Sequence, residues 1–149
     1  MKKLAIGMVL AITAIATVIG AKPRSNTVPR MYIFGFAASF NDTIVHFTDI
    51  QALNNAWIDS KNKFLSEREA YSYQLRDFLA QHQMPHRTCI VVYNQDSAKL
   101  QKRYQKMRRL YETGRDGRPH YDVRMAEGFH FTTIDMSPYF DTTPSNDNP

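Results

Sequence analysis

The spacing of hydrophobic positions changes along the chain, and each period points to an element. Residues 4–19 form a largely apolar run uninterrupted by charge. Beyond it, residues 31–36 (Met-Tyr-Ile-Phe-Gly-Phe) are dense in aromatic and β-branched side chains, which predicts a strand. Residues 43–48 predict a second one. Asn41 and Asp42 between them tolerate the left-handed conformations of a tight turn, and a two-residue loop there sets Phe36 opposite Phe47. Next, Leu53, Trp57, Phe64, Tyr71, Leu75 and Phe78 recur at three- to four-residue intervals or their multiples, a helical stripe with Asp49 placed as N-cap. Ser66 and Glu69 have capping-box spacing, so the stripe predicts two helices, over residues 50–63 and 67–83, in preference to a single long one. Pro85 ends the second.

Residues 89–93 are nearly all apolar, as in a central strand covered on both sides. The next helix, capped by Asp96 or Ser97, gathers Leu100, Tyr104, Met107 and Tyr111 within about 60 degrees of arc and stops at Gly114. Tyr121, Val123 and Met125 alternate with Asp122 and Arg124, a half-exposed strand. A turn at Glu127-Gly128 leads to a last predicted strand over residues 129–134. The order β-β-α(α)-β-α-β-β predicts a single small α/β domain: a mixed sheet of about four or five strands with helices packed against it.

The chain ends differ from this core. Lys2 and Lys3, the apolar run and the small pair Gly20-Ala21 make residues 1–21 read as a secretory signal peptide. The alternative is an uncleaved anchor, because about 17 apolar residues approach the roughly 20 that span a bilayer. Residues 22–30 read as a linker, 31–135 as the domain, and 136–149, rich in Ser, Pro, Thr, Asn and Asp, as a disordered tail. The expected location is periplasmic or extracellular. One cysteine, Cys89, allows no internal disulfide, so the core alone must hold the fold. Without Lys2 and Lys3 the net charge falls from +5 to about +3, a modest excess that gives no strong nucleic-acid signal.

Candidate chemistry is sparse. Lys99, Lys102, Arg103, Lys106 and Arg109 share one arc of the third helix opposite its apolar stripe, Arg108 lies off that arc, and the following loop adds Arg115 and Arg118. Such a face suits an anionic partner, and its plain alternative is a solvated helix surface. Asn94, Asp96 and Ser97 sit where α/β sheets often bind small ligands, at a strand-to-helix junction. That junction contains no glycine, which excludes a phosphate-cradling loop there, and helix capping is its ordinary reading. Cys89, at the head of an apolar strand without a local motif, reads as a core thiol. His82 and His86 are four apart but separated by Pro85, and His46, His120 and His130 have no carboxylate at ligand spacing, so no metal is expected. No cofactor motif occurs. Asn41-Asp42-Thr43 matches a glycosylation sequon, a chance match given the bacterial style of the leader.

The leader, the segment Phe47-Thr48-Asp49-Ile50, the run Tyr71-Ser72-Tyr73-Gln74-Leu75, and Arg87-Thr88-Cys89-Ile90-Val91 before a Lys/Arg-rich helix resemble a group of small exported bacterial proteins with no assigned activity. The resemblance implies bacterial export and nothing about catalysis, so it carries over no functional residues. The expectation is therefore an exported, non-enzymatic binding or interaction protein of the periplasm or cell envelope, touching an anionic envelope component or a protein partner through the basic helix. The alternative is a small hydrolase or transferase with its site at residues 94–97. A third reading is subunit packing through aromatic residues on the edge strands.

Overall fold

The computed structural model describes residues 25–140; the predicted signal segment, the first residues of the predicted linker and residues 141–149 of the predicted tail lie outside them. The organising strand is β1 (Ser25–Ala38), in which Ile33, Phe34, Phe36 and Ala37 are all buried. Successive side chains of a strand point to opposite faces. Met31, Ile33 and Ala37 accordingly join one core with Tyr71, Leu75 and Leu79 of α1 (Arg68–Gln81). Phe34 and Phe36 join another with Leu100 and Tyr104 of α2 (Ser97–Thr113). One helix thus covers each face.

Along one edge of β1 run β2 (Ile44–Phe47) and β3 (Gln51–Asp59), both antiparallel to it. Between the pairs Phe36↔Phe47 and Ile33↔Gln51 the register slips by one residue, so β2 and β3 are one strand interrupted by a bulge. Buried Thr48 holds the bulge: its Oγ1 accepts from Gly35 N at 2.8 Å, and its N–H donates to Gly35 O at 2.9 Å. The other edge of β1 pairs with β4 (Thr88–Asn94), and β5 (Asp122–Met125) pairs parallel with β2. The domain is α/β with a mixed five-stranded sheet, as the hydrophobic pattern implies, and with two helices where the pattern predicts three. Phe36 and Phe47 face each other across the hairpin, their rings 5.0 Å apart.

Several elements differ from the sequence reading. The stretch 50–63 is strand β3 and its following turn, not a helix. Asn55 takes a φ of 52° opposite Pro29, and this sends both Leu53 and Ala56 into the core, three residues apart. The Ser66–Glu69 capping box does not form either: α1 starts after Glu67, which has φ 53° and no side-chain cap bond, while Ser66 N donates to Trp57 O. β4, expected at the centre, pairs with β1 alone, and its Ile90 is 46% exposed. Residues 129–134 form no strand. Their backbone is bound by side chains: Gln51 bonds Phe129 O and Phe131 N, Gln74 bonds both polar atoms of Thr132, and the Tyr71 hydroxyl accepts from Ile134 N. The predicted linker supplies Ser25–Arg30 to β1, and Phe140 of the predicted tail stacks on Trp57 at 5.3 Å after the 3₁₀ turn Ser137–Tyr139.

Candidate functional site

The basic face stands on a well-anchored helix. The Asp96 carboxylate accepts from Ala98 N at 2.9 Å and Lys99 N at 3.1 Å, closing the N-terminus of α2. Leu100 and Tyr104 hold its inner side, with Tyr104 edge-on to Phe34 at 4.9 Å and Tyr111 against Phe36 at 4.8 Å. At the far end Gly114 turns with φ 69°, where a Cβ would lie 2.2 Å from Arg118 O, so glycine is required.

This anchoring fixes which cations face water. Lys99, Lys102, Arg103, Lys106 and Arg109 are all exposed, and among the described residues none of them makes an ion pair. Arg108 turns inward instead: it pairs with Glu112, touches Met125 Sδ at 3.6 Å and lies 5.9 Å from the Phe47 and Tyr104 ring centroids. α2 as a whole carries six basic residues against one acidic. Lys102, Arg103, Lys106 and Arg109 rim a shallow, open concavity of about 900 Å³ with Met107 and Leu110 on its floor. The concavity draws its lining from α2 and its cap residue Gly114, so it is an open surface groove and not an enclosed chamber.

The junction at 94–97 is occupied by backbone capping. Asn94 Oδ1 accepts from Asp96 N at 2.8 Å, Asp96 caps the helix, and Ser97 is its first residue. The structure therefore brings these three residues together, with the Asn94 and Asp96 oxygens directed at amides of their own chain.

Other titratable residues fall elsewhere. Cys89 lies half-buried on β4, and burial pushes its thiol up to about 11, so it is protonated and unreactive at neutral pH. His82 stacks on Phe78, His120 pairs with Asp116 at 3.2 Å, and no group of three His, Cys, Asp or Glu among the described residues could hold a metal ion. Nor is any helix among the described residues long and apolar enough to cross a membrane.

One polar cluster escapes the sequence reading. Arg87, 6% exposed, forks onto Asp42 through bonds of 2.8 and 2.6 Å and donates to Ile44 O at 2.7 Å, tying the hairpin turn to the start of β4. The Arg87 hydrogen bond holds the Asp42 carboxyl below its usual range. His46, 4% exposed, lies beside the pair with no partner for Nδ1; burial, then the charges of Arg87 and Arg124, lower its pKa and keep it neutral. Asp42 and Arg87 are 45 residues apart in the chain, and no local pattern announces such a pair. With the Asp42 carboxylate and the two terminal nitrogens of Arg87 bonded to each other, the pair clamps the hairpin turn to β4.

Comparison of the chain with protein-family models, with curated proteins and with solved structures finds no match.

Proposed function

We propose that this is an exported, non-enzymatic binding module of the cell envelope that docks on a polyanionic envelope component through the outer face of α2. The observation carrying the reading is the set of five exposed cations, Lys99, Lys102, Arg103, Lys106 and Arg109, unpaired within the described residues and held on one side of a capped, packed helix. A solvated helix face ordinarily mixes both signs, whereas this one has no carboxylate on its arc. Fixed cations spaced along a helix attract a multivalent anion more strongly than scattered ones, because binding releases the counterions condensed on the polymer. The apolar floor of Met107 and Leu110 adds contact area between the charges. Export rests on Lys2, Lys3 and the apolar run that follows.

The test is retention on a sulfated-polysaccharide matrix. Replacing Lys99, Lys102 and Lys106 by Gln lowers the salt concentration needed for elution if the face is the contact surface; unchanged elution removes the reading.

A further inference from the structure

The topology gathers the most exposed aromatic ring and three unpaired arginines at one end of the sheet. There β1 turns into β2 through residues 39–43, and Phe40 in that turn is fully exposed. The turn is braced. Asn41 N donates to Ser39 Oγ at 3.2 Å, Ile44 N donates to Asp42 Oδ1 at 2.9 Å, and buried Arg87 forks onto Asp42 from the start of β4. Phe40 is thus carried on a loop fixed from inside the domain, with its own ring left in water.

The segment after α2 arrives at the same end. β5 runs parallel to β2 from Asp122, whose N–H donates to Thr43 O at 2.9 Å, so Tyr121 stands next to the hairpin turn. Tyr121 is exposed, with its ring 5.0 Å from that of Tyr111, which in turn packs on Phe36. Leu110, also exposed, shares with Tyr111, Arg115 and Tyr121 the wall of a shallow depression of about 510 Å³. The surrounding charge has one sign once the pairs are set aside. Within residues 39–44 and 108–124 every carboxylate has a partner: Asp42 bonds Arg87, Glu112 bonds Arg108, Asp122 bonds Arg124, and Asp116 accepts from Arg118 N and meets His120. Arg109, Arg115 and Arg118 are exposed and make no ion pair among the described residues.

We propose that this end of the domain docks on the surface of an anionic lipid bilayer, with the rings of Phe40 and Tyr121 in the headgroup layer and Arg109, Arg115 and Arg118 against lipid phosphates. A polysaccharide offers nothing apolar and would leave Phe40 in water. A protein acceptor would have to supply a separate pocket for each ring. A bilayer interface takes separated aromatic rings anywhere along it and meets the cations between them with phosphates. The unpaired arginines, with no unpaired carboxylate on the same segments, select an anionic bilayer over a zwitterionic one. This surface lies beyond the outer face of α2 and shares only Arg109 with it. The two contacts therefore stand or fall separately.

Phe40→Trp, a change from one exposed ring to another, carries the test. Its fluorescence is followed on vesicles of phosphatidylcholine, with and without phosphatidylglycerol, whose acyl chains are brominated near the headgroup. The parent, with Trp57 alone, sets the background. The expected result is a blue shift and quenching on the anionic vesicles and neither on the neutral ones. The signal belongs to position 40, so attachment through the apolar N-terminal run does not imitate it. Arg115→Gln and Arg118→Gln, each introduced beside Phe40→Trp, weaken the vesicle affinity read from this quenching by about fivefold apiece. Phe40→Ser leaves elution from a sulfated-polysaccharide matrix unchanged. No quenching at position 40, equal quenching on neutral vesicles, an affinity indifferent to both arginine changes, or a polysaccharide elution shifted by Phe40→Ser overturns the proposal.

Discussion

Replacing Gly35 by Ala probes the centre of the molecule, where β1 meets α1. A Cβ there would stand 2.6 Å from Leu75 Cδ2, 3.2 Å from Thr48 Cγ2 and 3.3 Å from Phe131 Cζ. Leu75 is fully buried and Thr48 is fixed by its hydrogen bonds to the same glycine, so neither neighbour has room to withdraw. Overpacking of this kind costs about 1–3 kcal/mol. Alanine recovers about 0.5–1 kcal/mol of backbone entropy in a strand, leaving a net destabilisation centred on about 1 kcal/mol. For a domain near 100 residues this lowers Tm by about 5–10 °C. Thermal and urea unfolding followed by circular dichroism measure it. The partner is named by a double-mutant cycle. Leu75→Ala alone costs about 2–5 kcal/mol, and in that background the added Cβ partly fills the space left, giving a favourable coupling of about 1 kcal/mol or more. A Tm for Gly35→Ala equal to or above that of the parent, or strictly additive effects, would refute the packing of α1 on β1 described above.

Other expectations are shorter. The pKa of His46 is lowered in the fold from its ordinary 6.5, so unfolded chains bind a proton that folded ones refuse as pH falls below that value. Stability drops from pH 6.5 downward until the lowered folded pKa is reached, and His46→Phe flattens this part of a urea-midpoint-against-pH curve; an unchanged slope contradicts the assignment. With its thiol near 11, Cys89 reacts with a disulfide reagent at pH 8 about two orders of magnitude more slowly in the native protein than in urea. Equal rates would place it outside the core. Asp96→Ala removes the cap of α2 and costs about 1 kcal/mol in chemical denaturation while leaving polyanion retention intact. Loss of retention at constant helicity would return the 94–97 junction to the binding site.

The legible parts of the fold are those set by local pattern. The Phe36–Phe47 hairpin pair, the α2 stripe of Leu100, Tyr104, Met107 and Tyr111, and the stop at Gly114 follow from period and turn chemistry within a few residues. β3 reads as helix because Leu53 and Trp57 fall four apart in the sequence, whereas in the strand Leu53 is buried in the core and Trp57 only half-buried. Residues 129–134 were misread because an apolar alternating run says nothing of its partner, and here that partner is the side chains of Gln51 and Gln74. β4 reads as central because residues 89–93 are apolar; composition does not distinguish a strand paired on both sides from one paired with β1 alone. The basic arc was legible from spacing alone, with Arg108 set apart from it. The Asp42–Arg87 clamp, joining residues far apart in the chain, left no local trace.

The central claim is that the charge of α2, and not the general basicity of the protein, makes the contact. Its most direct measurement is the salt dependence of binding to a sulfated polysaccharide for the parent and two variants. One variant replaces Lys99, Lys102 and Lys106 by Gln; the other replaces Lys61, Lys63 and Arg68, exposed cations before and at the start of α1, by Gln. Each phosphate-like contact contributes about one unit to the slope of log K against log salt, so the first variant loses up to about three units and the second keeps the parental slope. Equal losses in both variants, or none in the first, would contradict the claim.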